Sequence, residues 1–592
     1  MAEETIRTDV LVIGGGGAGF RAAIGAREKG VQVTLLSKGP LARCGATPMA
    51  GADFTLDGAS LSQLGFPGEP KDSLEKAFND IIVQGFHLNN QKLVEQYLNA
   101  APDRLKELID WGIEIKGSEE RAIFTSGIGI MDALARRARE MDVNLLEDIM
   151  MIDLLTRDNR VVGGLALEIK SGRFMSIEAK SIVLAVGGWH KAFWPNTGMR
   201  DLSGEGLAMA NRAGAELGNM EFITFCCNVL FEPPVLRGSI ATYILAMVCG
   251  GQLTNAHGEA FLQKYDPFVV EKGTTMEWNK SFVSFASERE VRSGAGSPSG
   301  GVYYGLGTTP WESFEKTAQT IMFPNWKYKA MDLSHMARTL KEGGKVEVGP
   351  AVEYFDGGII VNENLETSLA GLYAAGECTL GVFGANRVFS AITEMLVHGA
   401  HAGRNAAEYA MGVSSVETDQ ARLQELEAMA KGPLERTGGT NPAQIRKRLQ
   451  GEAHRRLGPI RNEAQLTWFL EFLEELKRKD LPNLATVTKT RIYNKEWIDA
   501  LELPNMVHIL EASVRSALLR KESRGVHYRE DYPETNNENW LVETVVKIEN
   551  EQLEITTRPI TVSSLTPPKG RWPYLENFKL LMASHSEVGG HH

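Results

Sequence analysis

Asp9-Val10-Leu11-Val12-Ile13-Gly14-Gly15-Gly16-Gly17-Ala18-Gly19, continued by Phe20 to Lys29, is the stretch that decides the fold. The apolar run predicts a strand and Phe20–Lys29 predicts a helix. Between them stands Gly14-x-Gly16-x-x-Gly19, the spacing of a dinucleotide-binding turn. Gly14 permits the tight turn, Gly16 lets backbone N–H groups approach a pyrophosphate, and Gly19 lets helix and strand pack closely. The helix N-terminus then faces the phosphates. Val31–Ser37 supplies the second strand, which ends Leu35-Leu36-Ser37-Lys38. An NAD site usually places an acidic residue there to hold ribose hydroxyls. Ser37 stands in that place, which makes FAD the better candidate.

At 592 residues and 43% hydrophobic content, the chain can bury several cores and should divide into domains. A net charge of -12 opposes nonspecific nucleic-acid binding. Cys44, Cys226, Cys227, Cys249 and Cys378 contain no C-x-x-C spacing, so no metal or iron–sulfur site is expected in this chain. A reduced cytoplasmic environment fits. Met1-Ala2-Glu3-Glu4 lacks the features of a signal peptide, and no apolar run reaches the roughly 18 residues of a membrane span. The expected location is cytoplasmic, at most peripheral at the inner face of the membrane through partners.

Leu41 to Phe54 (LARCGATPMAGADF) is a small-residue loop suited to backbone passing close to a flat cofactor, with Gly45 and Gly51 among the contacts. Leu93, Tyr97, Ala101 and Leu105 recur at helical spacing within Ser73–Trp111, and Met131–Met141 is a further helix. VVGGLALEI and FMSIEAKSIVLAVGG predict a meander that returns to the nucleotide sheet, its last strand running into Gly187 beside the adenosine half of the cofactor. Gly238 to Gly344 is richer in aromatics and lacks βαβ rhythm, so it reads as an inserted domain closing over cofactor and substrate. The sheet is expected to resume at Gly357–Val361 and end at Leu372–Cys378. The resulting division is an FAD-binding domain at 1–237 and 345–415, a capping domain at 238–344, a helical domain at 416–539 and a C-terminal segment at 540–592.

VLVIGGGGAGFRAAIGA, SIVLAVGG, SGEGLAMANRAGAEL, MEFITF, GLYAAGEC, FGANR, GPIRNEAQL, ELPNM and VRSALLRKESRGVHYREDYPETNNENW resemble, across essentially the whole chain, the flavoprotein subunits of the succinate dehydrogenase/fumarate reductase family, which also includes L-aspartate oxidase. The resemblance implies an α/β Rossmann-like FAD-binding domain with an inserted α+β capping domain, followed by a helical domain and a small C-terminal segment. It implies FAD held at Gly14, Gly16, Ala18 and Gly19, with Ser37 and Lys38 near the adenosine and Glu377 on the ribityl chain. Many relatives attach the flavin through a histidine beside the equivalent of Arg43-Cys44. Gly45 occupies that place here, followed by Ala46, so FAD is expected without a covalent link.

The reaction implied is hydride exchange between flavin N5 and a carbon next to a carboxylate, with a proton delivered to the neighbouring carbon. Ser287-Glu288-Arg289-Glu290-Val291-Arg292-Ser293 resembles the acid-bearing helix, with Arg289 the first choice as proton donor and Arg292 the second. Arg387 of FGANR resembles the arginine that clamps a substrate carboxylate, a task suited to bidentate geometry. The implied partner is an iron–sulfur protein subunit, leading to a membrane anchor or a soluble electron carrier.

Two departures bear on the substrate, a small carboxylic acid. Succinate-handling members place a histidine and a threonine after the MEF strand, where this chain has Cys226 and Asn228; they place a histidine before Tyr-x-x-Gly-Gly, where it has Glu353. An ionised Glu353 would repel a dianion. The expected substrate is therefore another unsaturated acid, an acyl thioester, or a molecule neutral or cationic at its far end. Two other readings stay open: a divergent enzyme, including the adenylylsulfate reductase type, and a flavin electron-transfer subunit without substrate chemistry. Cys226-Cys227, the His398/His401 pair and His527 read as packing residues.

Overall fold

The computed structural model describes residues 4–51, 53–266, 279–319, 328, 331–415 and 417–579. Val10, Leu11 and Val12 are fully buried because β1 (Glu4–Ile13) has a parallel neighbour on each side. The first is β2 (Val33–Ser37), with Val10 opposite Val33. The chain then lays down β3 (Asn144–Glu147) against β2, a hairpin of β4 (Ile149–Arg157) and β5 (Arg160–Glu168), and β6 (Arg173–Leu184). β6 returns beside β1, Ile13 opposite Leu184, and Leu372–Ala374 pairs parallel to its end. A parallel strand covered on both faces has no polar side to show, which is why β1 reads as an uninterrupted apolar run. α1 (Gly17–Arg27) lies on this sheet, buried from Gly17 to Ala26.

The cap is built on β7 (Ile223–Leu230), β8 (Gln252–Thr254), β9 (Val302–Gly305) and β10 (Val346–Phe355), antiparallel in the order β7-β10-β9-β8. Its two longest strands thus lie outside 238–344. β7 is buried at every position, so the composition does not change where the chain leaves one sheet for the other. α2 (Ala241–Cys249) and α3 (Lys280–Glu290) pack on β7.

Gly358–Ile360 does not rejoin the nucleotide sheet. It joins a second sheet of five strands with Thr379–Leu380, Leu217–Gly218 and the hairpin Val542–Glu549/Gln552–Pro559. The C-terminal segment is therefore woven into the flavin domain rather than appended to it. Three of its strands are two or three residues long and carry no periodicity to read, so the sequence does not show that the eight-residue strands of the hairpin join them.

α4 (Ala391–Gly412) returns across α1 at close range: a Cβ on Gly403 would stand 2.0 Å from the Ala22 carbonyl. The spine of the helical domain is α5 (Lys495–Leu519), flanked by Gln420–Glu435, Pro442–Arg456 and Glu463–Glu475. The stretch from Arg520 to Pro533 ties the domains together. Arg520 pairs with Glu221 (2.6 Å) and Glu522 (2.9 Å), Arg524 with Glu522 (2.8 Å), all buried. His527 shares a 2.9 Å hydrogen bond with Arg461 in the same core. Removing one partner of such a buried set costs about 3–5 kcal/mol. No helix among the described residues is long and apolar enough to cross a membrane.

Candidate active site

A cleft of about 1420 Å³ runs from the glycine turn to the cap. Sites for one small molecule occupy roughly 300–1,000 Å³, so this one has room for a dinucleotide and a second ligand.

At its nucleotide end the walls are backbone. Gly14 has φ +124°, and a Cβ there would stand 2.1 Å from the Ala185 carbonyl oxygen; one on Gly19 would stand 1.8 Å from that of Gly14. α1 begins after Gly16, which offers no side chain as a cap; the Gly17 N–H goes to Thr47 Oγ1 (3.1 Å), and no acidic residue stands in the first turn. Its positive end therefore faces the cleft beside Ala18, suited to an anion. Gly51 and Gly187 also line the cleft, and nothing lies within 4 Å of a Cβ on Gly51.

Ser37 is not on the wall. It is fully buried, donating to the Gly39 carbonyl (2.8 Å) and facing the Cys44 sulfur (3.1 Å). Lys38 does line the cleft, its ammonium held by Ser203 (2.9 Å), Glu502 (3.0 Å) and Glu205. Burial opposes that charge, but Glu205 and Glu502 outweigh it and hold the ammonium above the usual lysine range. Glu205, itself on the wall, was not singled out in the sequence; its SGEG turn was the available signal. Glu377 is buried, accepts the Gly188 N–H through Oε2 (3.2 Å), and has no hydrogen bond at Oε1, where a cofactor hydroxyl would satisfy it. Burial pushes its carboxyl up. Gly45 has φ +76°, gives its N–H to Asp201 (2.9 Å), and a Cβ there would meet only the Gly16 Cα, at 3.8 Å.

At the cap end the walls are side chains. Arg387 and Glu353 both line the cleft, Arg387 Nη2 standing 3.8 Å from Glu353 Oε2. Lys280, 1% exposed, is behind Glu353 with Nζ 2.7 Å from Oε2, under the ring of Tyr243 at 4.8 Å. The Arg387 guanidinium lies 5.0 Å from the centre of the Tyr354 ring. Tyr354 donates to Glu394 (2.9 Å), whose carboxyl burial pushes up to about 8. Burial also lifts Asp356, which accepts from Thr224 (2.7 Å), to about 7. His190 donates from Nε2 to the Glu353 carbonyl (2.7 Å) and fixes that strand.

Arg289 and Arg292 are elsewhere. Nine residues at 3.6 per turn put Lys280 and Arg289 on roughly opposite faces of α3. Arg289 stacks on Phe285 and Tyr528 and donates to the Tyr528 hydroxyl (3.2 Å). Arg292 pairs with Glu288 (2.8 Å) and donates to the Ile460 carbonyl. Neither lines the cleft. A search for an arginine passes over Lys280, which the packing of α3 on β7 turns toward the site. Cys226 and Asn228 are likewise buried in β7 without lining the cleft, because all of that strand is core.

Residues 9–391 match the FAD binding domain family and residues 446–572 match the fumarate reductase flavoprotein C-terminal family. The chain belongs to the fumarate reductase/succinate dehydrogenase flavoprotein family. It is 31% identical to a subunit of the fumarate reductase (CoM/CoB) of Methanothermobacter marburgensis, over 91% of this chain and 97% of that one. It is 30% identical to a fumarate reductase flavoprotein subunit of Mycobacterium tuberculosis, over 96% and 98%. Among solved structures, the quinol fumarate reductase flavoprotein of E. coli superposes with a TM-score of 0.84 at 25% identity, covering 96% and 99%. Sdh1 of Mycobacterium smegmatis gives 0.83 at 28%, covering 95% and 96%. This flavoprotein is an FAD-dependent oxidoreductase, and the glycine turn, the α1 N-terminus free of acidic residues and the unsatisfied Glu377 oxygen fit FAD.

Proposed function

We propose that this flavoprotein is the catalytic subunit of a fumarate reductase-like complex, interconverting an unsaturated carboxylic acid and its saturated counterpart. The observation that carries the reading is Arg387 at the cleft wall, beside a Glu353 backed by Lys280. FAD, when bound, supplies or accepts the hydride and its two electrons. In the reducing direction one alkene carbon receives that hydride, the other receives a proton, and the π bond becomes two C–H bonds. Arg387 holds the substrate carboxylate in bidentate geometry. The proton starts on Lys280: it passes along their hydrogen bond to the Glu353 carboxylate, which hands it to the second carbon and ends ionised, as it began. Proton delivery of this kind is worth on the order of 10²–10⁴ in rate. Electrons reach the flavin through an iron–sulfur subunit, a partnership supported by the relatives being named as subunits.

FAD is held without a covalent link in this reading, since Gly45 and Ala46 offer no imidazole. Acid precipitation should leave the yellow cofactor in the supernatant; flavin remaining on the pellet refutes it. The function is tested by reducing the holoprotein with dithionite and adding a panel of enoic acids anaerobically. At least one should reoxidise the flavin with kcat/KM above about 10⁴ M⁻¹s⁻¹. If none does, the chain passes electrons without substrate chemistry of its own.

A further inference from the structure

We propose that the substrate is a monocarboxylic enoate whose other end is apolar and bulky, an aryl or branched alkyl group lying along α2. This rests on the carboxylate reading above and deepens it.

α2, Ala-Thr-Tyr-Ile-Leu-Ala-Met-Val-Cys, carries no charged residue. Its core face, including Leu245 and Ala246, packs with β7, where Thr242 donates to the Asn228 carbonyl. A helix with one buried face ordinarily turns charged residues to the other side. This one turns Tyr243, Ile244, Met247 and Val248 to the cleft, with Ile240 just ahead of its first residue continuing the apolar line at i, i+4, i+7 and i+8, and Val248 46% exposed. Met331 extends the same wall. An apolar stripe facing a cavity is costly in water and favours an apolar occupant.

Charge distribution agrees. Arg387 and Glu353 stand together on the wall, and the Lys280 ammonium behind is engaged by Glu353; among the described residues, the other cations lining the cleft outside its nucleotide end, Lys116 and Arg121, lie on the 114–121 segment among Glu114, Glu119 and Glu120. Tyr243 of α2 covers Lys280, which holds Glu353 beside Arg387, and Met247 follows one helical turn on, so a carboxylate placed on Arg387 directs the far end of the substrate along α2 toward Met247 and Val248. A second carboxylate there would give up its water for methyl and thioether groups, a steep cost for an ion. An aryl or branched group would instead bury its surface against them.

The experiment titrates oxidised holoprotein with 3-phenylpropanoate, butanoate and succinate, reading the flavin visible spectrum and, independently, binding heat. 3-Phenylpropanoate should bind at least about tenfold more tightly than either of the others, since a single methylene in an apolar pocket is worth roughly 10-fold or more. Met247→Lys should abolish that preference and Met247→Ala should weaken 3-phenylpropanoate binding several-fold, so a fold-compromised lysine variant does not remove the test. Reoxidation of the reduced protein should favour cinnamate over fumarate. Succinate binding as tightly as 3-phenylpropanoate, or fumarate outpacing cinnamate, overturns the apolar-tail proposal while the carboxylate reading stands. If none of the three acids binds to FAD-loaded protein, the carboxylate reading falls and takes this proposal with it.

Discussion

The nucleotide end of the cleft is shaped by what it lacks and the cap end by what it carries. Around Gly14, Gly16 and Gly19 the surface is peptide, and the ligand is met by N–H groups and a helix end. Around Arg387, Glu353 and Lys280 it is side chain, and the ligand meets charges whose placement depends on which face of α3 and which strand of the cap turn inward. Backbone sites are fixed by local sterics and so recur at fixed spacing. Side-chain sites are fixed by tertiary packing, so two arginines in a suggestive sequence can end up on the wrong face.

The largest expected effect tests the first half of that contrast. Gly19→Ala forces a Cβ onto the Gly14 carbonyl, where backbone must move, whereas Gly51→Ala places one in open space. Overpacking costs typically 1–3 kcal/mol even where side chains can yield. Gly19→Ala should purify with less than about a tenth of the normal flavin, or fail to fold, while Gly51→Ala keeps a flavin-to-protein absorbance ratio near that of the parent. A fully loaded Gly19→Ala would show that the turn is not steric.

The second half is tested on α3. Lys280→Met should lower turnover on the order of 10²-fold or more with flavin retained, the scale of a lost proton donor. Arg289→Met should stay within about twofold, since its guanidinium stacks on Tyr528 away from the cleft. The reverse outcome would return the acid to Arg289 and demand that the cap move to bring it in.

The same contrast explains what was legible. The fingerprint, the second strand and the meander sit in stretches whose local pattern and spacing suffice; Arg387 and Glu353 are singled out only by the family resemblance, and the structure puts both on the cleft wall. Ser37 was misplaced because its position in the strand was right but its side chain turns inward to Gly39 and Cys44. Lys280 was missed because nothing adjacent in sequence announces it; its partner lies 73 positions away. The five-stranded sheet was missed because three of its members are two or three residues long, too short to carry a period or to show what the C-terminal hairpin pairs with.

Glu353→Gln removes the anion between Lys280 and Arg387 while keeping the shape, and its smaller effect is on binding. Turnover should fall as far as in Lys280→Met, since an amide cannot relay the proton, but succinate should bind roughly tenfold better, as one unit of repulsion is exchanged for a neutral amide, about 1.4 kcal/mol. Weaker succinate binding in this variant would mean that Glu353 orders the two cations rather than opposing the ligand.

The smallest effect distinguishes the two ends by pH. Near the nucleotide end, burial opposes the charge on Glu502, but Lys38 and Lys191 hold its carboxyl well below the usual range. A depressed folded-state value contributes stability above the unfolded pKa of about 4.3, and that contribution is lost as pH falls through the folded value. At the cap end, Glu394 and Asp356 are raised to about 8 and about 7 by burial. Their unfolded forms give up protons first, so stability is greatest below about pH 4 and declines as pH rises through 7 and 8. The nucleotide end should therefore loosen in acid and the cap end in alkali. Glu394→Gln, which still accepts from Tyr354, removes one of the alkaline contributions. Its Tm should fall by a few degrees less than the parent's between pH 5 and pH 8.5, at roughly 2–4 °C or less per kcal/mol in a chain of this size. Parallel Tm curves for parent and variant would show that Glu394 is ionised throughout that range and that Arg387 compensates its charge.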